Sequence, residues 1–339
     1  MYVGDSPRMK PARILAAPTA VQTGMTMTTS GTDALDMPEL RAAWDARKQF
    51  LDRLEPLRSA LYAYCRRLTG NAFDAEDLVQ ESLARAFTQA AQTHSPIANP
   101  RAWLFRVATN AYVDSYRQQT PVLVDALEQV APAAADPVEL RDAWAELVTL
   151  LPPQERAALA LKDLFGFTLA EVADVLRTSV GAVKAALHRG RGRLDSPERE
   201  RSLKAREAPD RRLLDAVADA FTAYDVPRLA ALLLADADSE ILGVLTEYGA
   251  EQIREGSIAH TLNLSKPHRY TAQVVELWDE LVLVIRIVRD GKAAVNDLMR
   301  LTTEDGKVRS IRWYYFSPDF LTELAAELGE PVELNGHHY

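Results

Sequence analysis

Residues 168–194 read TLAEVADVLRTSVGAVKAALHRGRGRL, and this stretch decides the fold of the middle of the chain. Thr168 and Glu171 have the spacing of a capping box, in which each side chain bonds the backbone N–H of the other at a helix start. Ser179 is placed to cap a second helix, and Ala173 is small where the two helices would cross. A capped helix, a short turn and a second capped helix predict a helix-turn-helix.

The second helix of this motif carries the chemistry of DNA binding. Residues 176–193 hold five Arg or Lys side chains and no acid, which favours contact with a phosphate backbone. We expect Val180, Gly181, Lys184 and His188, after the Ser179 cap, to face base edges in the major groove. Three further side chains suit phosphates, namely Arg189, Arg191 and Arg193. The alternative interpretation is a solvated basic helix in an ordinary bundle.

Two earlier segments are also helical. Asp74 and Asp77 stand in the first turns of a helix that Asp74 could cap, where acids complement the helix dipole whatever the function. Another helix begins at Asn99-Pro100, an N-cap followed by proline at the first helical position. Its face opposite the apolar stripe combines Trp103, Arg106, Asn110 and Arg117. Aromatic and guanidinium groups suit unpaired bases, although a tryptophan in a helical core is equally ordinary.

Apolar spacing and proline content divide the chain into six segments. We predict a disordered tail (1–39), an all-α domain (40–117), a linker (118–138), the helix-turn-helix domain (139–195), a second linker (196–209) and an α+β domain (210–339). Within the last, two amphipathic helices occupy residues 210–235. Strands follow at 270–278, 281–288, 293–303 and 308–316, and Asp305-Gly306 predicts the final hairpin.

Charge and cysteine content exclude several classes of protein. The net charge of −9 belongs entirely to residues 210–339, which hold 13 basic and 22 acidic side chains, whereas residues 1–209 hold 26 of each. Cys65 is the single cysteine, so neither a disulfide framework nor a zinc knuckle can form. No apolar run is long enough for a membrane span. We predict no cofactor, no metal, no membrane contact and a cytoplasmic location.

The order of three motifs carries a family resemblance. Residues 65–82 (CRRLTGNAFDAEDLVQES), 101–110 (RAWLFRVATN) and 151–156 (LPPQER), followed by the helix-turn-helix, closely resemble the extracytoplasmic-function branch of the sigma-70 family over residues 47–195. The resemblance implies that Asp74, Asp77, Gln80 and Glu81 bind the clamp helices of the polymerase beta-prime subunit. It also implies that the Asn110 helix, with Trp103, Arg106 and Arg117, reads the minus-ten element, and that the helix after Ser179 reads the minus-thirty-five element.

Two departures from that family occur in the helix-turn-helix. Arg177 replaces the usual turn glycine, which would strain a left-handed residue by roughly 1 kcal/mol. Gly190 and Gly192 reduce the number of polar and basic contacts that the second helix usually makes.

The C-terminal domain resembles the cone-shaped SnoaL-like α+β fold. The features that carry this resemblance are the paired helices around residues 224–227 and the final strand ending at residues 312–316. This resemblance implies a regulatory domain, with a small molecule as a further candidate ligand.

We therefore predict a sigma factor, not an enzyme, that binds core RNA polymerase and promoter DNA and is regulated in cis by residues 210–339. One alternative is a helix-turn-helix regulator that does not bind polymerase, since a fold alone does not fix function. A second alternative is a SnoaL-like enzyme with a DNA-binding domain attached. His260, Glu276 and Asp297 are the candidates for its chemistry, and no spacing distinguishes them.

Overall fold

The computed structural model describes residues 38–92, 97–119, 151–194 and 210–335. The chain divides into two compact units, built mostly on residues 50–204 and 205–339. Four predicted segments lie wholly or largely outside the described residues: the tail at 1–39, the linkers at 118–138 and 196–209, and the start of the second helical domain at 139–150.

Three helices come first: α1 (Pro38–Thr69), which belongs to the first unit from Phe50 onward, α2 (Ala72–Gln92) and α3 (Pro100–Gln119). The predicted cap of α3 is confirmed, because Asn99 Oδ1 accepts from the Ala102 N–H at 3.0 Å. The predicted cap of α2 is wrong. Asn71 Oδ1 accepts from the backbone N–H groups of Phe73 and Asp74, at 2.8 and 3.1 Å, so Asp74 already lies inside the helix.

The same unit contains the helix-turn-helix. Helix α4 (Pro153–Leu159) continues into a π-helical turn (Ala160–Leu164), and α5 (Leu169–Val175) and α6 (Val180–Leu194) follow. The capping box is confirmed, with Thr168 Oγ1 accepting from the Glu171 N–H and Glu171 accepting from the Thr168 N–H. Arg177 is left-handed, with φ of 50°, as expected from the glycine it replaces.

The second unit is α+β. Helices α7 (Arg211–Thr222) and α8 (Val226–Ala231) precede strands β1 (Leu233–Ile241) and β2 (Leu245–Tyr248). Short helices α9 (Ala250–Ile253) and α10 (Ala259–Thr261) flank a π-helical turn, Arg254–Ile258. Strands β3 (Arg269–Leu277), β4 (Glu280–Arg289), β5 (Lys292–Glu304) and β6 (Lys307–Trp313) lead to α11 (Pro318–Leu328).

All six strands form one sheet in the order β2-β1-β6-β5-β4-β3. The β1–β6 pair is parallel and the others are antiparallel. Strand β4 is buried on both faces of the sheet. Its residues Leu283 and Ile285 join the core that includes α7. Helix α11 also packs on the sheet, against β5. From α11, Phe320 stacks on Tyr314 with ring centroids 4.4 Å apart.

The predicted final hairpin is confirmed, since Asp305 and Gly306 both have positive φ, of 51° and 71°. The four predicted strands match β3 to β6 with ends shifted by up to three residues. The prediction of helix up to residue 235 is wrong, because α8 ends at Ala231 and β1 begins at Leu233. Across the described ranges, no helix is long and apolar enough to cross a membrane.

Candidate nucleic-acid and partner-binding surfaces

One face of α6 presents the side chains predicted to read bases. Val180, Lys184 and His188 follow one another at one-turn spacing and are exposed, and Gly181 lies beside Val180. Ser179 is also exposed, but its hydroxyl already accepts from the Ala182 N–H at 3.1 Å. The residues that α6 buries are Val183, Ala186 and Leu187. The geometry is that of a helix held by one face with the other available.

The three arginines assigned to phosphates contact carboxylates of their own domain. Arg189 Nε lies 2.9 Å from Glu155 Oε1, and Arg193 binds the other oxygen of the same carboxylate. Arg191 binds Asp163 with Nη2 at 2.7 Å from Oδ1 and 2.9 Å from Oδ2. Their phosphate role stays a prediction, and in this structure the guanidinium groups are engaged.

On α3, the predicted minus-ten residues Trp103, Arg106 and Asn110 are all partly exposed. The Trp103 ring meets the edge of Phe50 with centroids 6.4 Å apart, so part of the indole belongs to the core. Arg106 Nη1 lies 3.3 Å from Asp174 Oδ2 of α5. The side chain of Arg117 lies outside the described residues.

The four predicted polymerase-binding residues on α2 are partly exposed. Gln80 Nε2 donates to Glu76 at 2.7 Å. Glu81 accepts from Arg85 at 2.6 Å, and Arg85 also binds Asp114 of α3 at 2.9 Å. The Glu81 carboxylate is thereby held at the surface in one orientation.

Sequence reasoning missed a buried ion pair beneath that surface. Arg58 of α1 and Glu76 of α2 lie 2.5 Å apart, with side chains 1% and 0% exposed. The signal was present, because Glu76 falls on the buried stripe of α2 between Ala72 and Val79. This buried pair joins α1 to α2, and removing one partner would leave an uncompensated buried charge.

The α1–α3 domain and the helix-turn-helix domain pack together within the first unit. Phe165, just after the π-helical turn, meets Phe105 of α3 with ring centroids 5.3 Å apart and Tyr64 of α1 at 5.5 Å. Arg101 of α3 donates to the Phe165 carbonyl and lies 4.9 Å from the centroid of the Phe167 ring. These contacts are mainly aromatic.

Arg156 lies buried at the same interface. Its Nη1 donates to the Leu68 carbonyl at 2.6 Å and to the Tyr112 hydroxyl, and Nη2 donates to the Leu151 carbonyl at 3.1 Å. These acceptors are all neutral, and burial lowers the pKa of Arg156. The Nε atom is buried without a hydrogen-bond partner, and the Tyr112 ring, with its centroid 5.6 Å from the guanidinium carbon, supplies a cation–π contact but no counter-charge.

The three candidates for enzyme chemistry in the C-terminal unit are not brought together. Asp297 is buried on β5, and its Oδ1 accepts from the Leu298 and Tyr314 N–H groups at 2.7 and 3.0 Å. Burial raises the pKa of this carboxyl well above its usual value. Glu276 and His260 are exposed, and no hydrogen bond in the described part of the chain joins any two of the three.

One apolar cavity in the core of this unit is too small for a ligand larger than water. A cavity of about 10 Å³ lies under α7 and is lined by apolar side chains only, among them Phe221, Met299 and Trp313. Such a volume accommodates about one water molecule. Entry of a larger molecule would require these side chains to move.

Comparison with known proteins bears on the first unit most directly. Residues 54–121 match Sigma-70 region 2, and residues 123–194 match Sigma-70, region 4. The ECF RNA polymerase sigma factor SigW of Bacillus subtilis (strain 168) is 30% identical over 159 residues, which cover 42% of this chain and 84% of SigW.

The chain belongs to the ECF sigma factors. SigG of Mycobacterium tuberculosis is 33% identical to this sigma factor over 227 residues, covering 57% of the chain and 61% of SigG. The match therefore spans about three fifths of the length of that relative. The predicted family and the helical architecture of its first two domains are confirmed.

Solved structures are similar to both units of this sigma factor. The M. tuberculosis sigma factor SigJ is 23% identical, with 84% of this chain and 100% of SigJ covered and a TM-score of 0.31. An NTF2-like protein of Cytophaga hutchinsonii is 15% identical, with 38% of this chain and 100% of that protein covered and a TM-score of 0.25. The observed helices and six-stranded sheet of the second unit confirm the predicted α+β class.

Proposed function

We propose that this sigma factor binds core RNA polymerase and directs promoter-specific initiation. The observation that carries the proposal is the exposed row of Val180, Lys184 and His188 on a capped second helix of a helix-turn-helix. A side chain reaching from such a helix reads base edges in the major groove. In this proposal, α6 reads the minus-thirty-five element.

The remaining contacts follow from α2 and α3. The clamp helices of the beta-prime subunit are contacted by Asp74, Asp77, Gln80 and Glu81. The partly exposed carboxylates on α2 support this assignment. Trp103, Arg106, Asn110 and Arg117 read the minus-ten element on the melted strand, where aromatic and guanidinium groups stack on bases. A helix-turn-helix regulator that does not bind polymerase has no use for the α2 surface.

This function requires the first unit to open. Two DNA elements centred roughly 25 base pairs apart lie about 85 Å apart at 3.4 Å per base pair. A compact body of about 150 residues is only roughly 40 Å across. Helices α3 and α6 therefore cannot occupy both elements while Phe165 packs on Phe105 and Arg106 pairs with Asp174.

Arg156 makes such an opening energetically accessible. A guanidinium buried against neutral acceptors has lost its hydration without gaining a counter-charge. Opening returns it to water, and this gain offsets part of the cost of exposing the aromatic rings. The interface is thus suited to being exchanged for contacts with polymerase and DNA.

Regulation in cis by residues 210–339 is part of the proposal. This segment carries a charge of −9 and follows α6 through a linker of 14 residues, 196–209. A short tether gives an effective concentration on the order of millimolar, at which weak contacts are populated. We expect protein ending at residue 209 to bind promoter DNA more tightly at low salt. A small-molecule ligand of this domain remains a prediction that the 10 Å³ cavity does not favour.

Replacement of one base-reading side chain tests the DNA assignment. Lys184→Ala in holoenzyme should relax base preference at the minus-thirty-five element, because a base contact discriminates among sequences. Lys292→Ala removes the same charge from an exposed position on β5 and serves as the control. Equal base preference in wild type and Lys184→Ala, measured on a set of substituted duplexes, would contradict the assignment.

A further inference from the structure

We propose that Glu155 is a positioning residue for the recognition helix. In this proposal, which rests on the DNA-binding role of α6, Glu155 holds the helix through Arg189 and Arg193. These arginines then fix the orientation of α6 and do not serve as phosphate ligands.

The carboxylate of Glu155 joins two helices at two points. Its side chain is 6% exposed, and each of its oxygens accepts from a different arginine of α6. Arg189 and Arg193 are one helical turn apart, so a single shared acceptor restrains both rotation and translation of α6 about its axis. One ion pair alone would leave the rotation free.

Between the two ion pairs, the backbone of α6 closely approaches side chains of α4. A Cβ added at Gly190 would stand 2.6 Å from Leu159 Cδ1 and 3.5 Å from Glu155 Cβ, whereas a Cβ at Gly192 would meet nothing within 4 Å. Gly190 therefore lets α6 lie against α4 at the level of Glu155. The glycine expected to thin out the contacts of the second helix instead permits the helix packing.

The next arginine is held in the same way. Arg191 binds both oxygens of Asp163 on the π-helical turn, where the Asp163 side chain is 15% exposed. The C-terminal part of α6 is thus held by acids of α4 and of the π-helical turn. Of the exposed row, Val180 and Lys184 lie in the N-terminal half and His188 lies just past the middle of the helix. The anchoring side chains begin at Arg189, directly after the base-reading row ends at His188.

A phosphate role for Arg189 or Arg193 would require this arrangement to break. Rotating either guanidinium toward DNA would leave the Glu155 carboxylate buried without one of its two partners. A buried charge that loses its partner is unfavourable. The two roles therefore compete, and they predict opposite results when the carboxylate is neutralised.

The decisive variant is Glu155→Gln in the full-length protein, assembled with core polymerase. The probe is a promoter duplex selected from random-sequence DNA by wild-type holoenzyme. If Glu155 positions α6, the variant binds this duplex on the order of tenfold more weakly and discriminates less among minus-thirty-five substitutions. Arg189→Gln should cause a similar loss with an unchanged salt slope, and the double variant should be no worse than either single one.

The opposite outcome overturns the proposal. If the arginines are phosphate ligands, Glu155→Gln releases them and removes a negative charge, so binding tightens, and Arg189→Gln lowers the salt slope by about one. Asp219→Asn is the charge control, because it removes an exposed carboxylate of α7 that lies in the second unit, outside the proposed DNA-binding and polymerase-binding surfaces.

A second pair of variants covers the case in which Glu155→Gln does not fold, as judged by circular dichroism. Gly190→Ala should weaken discrimination while Gly192→Ala does not, and equal behaviour of the two would overturn the positioning role. Absence of promoter binding by wild-type holoenzyme would instead contradict the proposed function itself, so the two failures are distinguishable.

Discussion

Arg177 is a single residue whose backbone conformation conflicts with its side chain. A left-handed residue other than glycine costs roughly 1–2 kcal/mol, and glycine costs about 0.5–1 kcal/mol in unfolded-chain entropy. Since φ at Arg177 is 50°, Arg177→Gly should stabilise the first unit by about 0.5–1 kcal/mol in denaturant unfolding. Arg177→Ala keeps the strain and should give no gain. Equal gains from both variants would assign the effect to the side chain.

Asp297 predicts a pH dependence of stability. Burial raises the pKa of Asp297 in the folded state above the unfolded value of about 3.9. The folded state therefore retains a proton that the unfolded chain releases, and stability falls as pH rises from the unfolded pKa toward the folded pKa.

Asp297→Asn retains the oxygen that accepts from the Leu298 and Tyr314 N–H groups and removes the titration. The variant should match wild type near pH 4 and exceed it at pH 8, by about 1.4 kcal/mol for each unit of pKa difference. Tryptophan fluorescence during denaturant unfolding measures this. Burial also raises the pKa of Glu247, but that carboxyl titrates in both proteins. If the difference in unfolding free energy between Asp297→Asn and wild type were constant with pH, the titration of Asp297 would be ruled out as its source.

At this scale the sequence predicted residues whose role is local and missed those whose role is tertiary. Thr168, Glu171 and Asn99 cap their own helices, so spacing along the chain reveals them. Glu155 finds its partners 34 and 38 residues away, and Glu76 finds Arg58 on another helix. Charged side chains are usually exposed, so only the structure distinguishes such buried acids from surface ones.

Among the elements, α2 carries the contact that separates a sigma factor from other DNA-binding proteins. Asp77 and Glu81 lie one turn apart, and reversing both charges should abolish co-elution with core polymerase. The chain should stay folded, because both side chains are partly exposed and the Glu81–Arg85 ion pair that is lost lies at the surface, where such a pair is worth about 0–1 kcal/mol. Asp215 and Asp219 on α7 are exposed with the same spacing. Their double reversal is the matched control and should leave co-elution intact. Undiminished co-elution of the α2 variant would refute the assignment.

The strands show which elements a sequence can predict. Strands β3 to β6 are linked by two-residue turns with positive φ at both positions, and Asp305-Gly306 is the clearest signal. Strand β1 is Ala- and Asp-rich, with the sequence LLADADSEI, and has low β-propensity. It forms because it pairs with β6 in parallel and with β2 in antiparallel orientation. Pairing with a strand some 70 residues away cannot be recognised locally.

At the scale of the whole molecule, the packing within the first unit predicts that the distance between α2 and α6 increases greatly when the protein binds core polymerase and promoter DNA. A donor and an acceptor fluorophore can be attached at Thr88→Cys in α2 and Thr178→Cys before α6, because both positions are exposed. Native Cys65 is buried and therefore shielded from labelling. Energy transfer should be high in the free protein and fall when core polymerase and promoter DNA are added. Thr88→Cys with Tyr116→Cys, both in the α1–α3 domain, should show no change. High transfer in the complete promoter complex would mean that the unit does not open.

The central claim is that this chain supplies the initiation function that core polymerase lacks. The direct measurement is run-off transcription by purified core polymerase on the selected promoter duplex, with and without the full-length protein. The account predicts a discrete transcript only when the protein is present, and none with the Asp77→Arg, Glu81→Arg variant. If promoter DNA is bound but no transcript appears in any condition, the chain is a regulator that does not act through core polymerase, and the account is wrong.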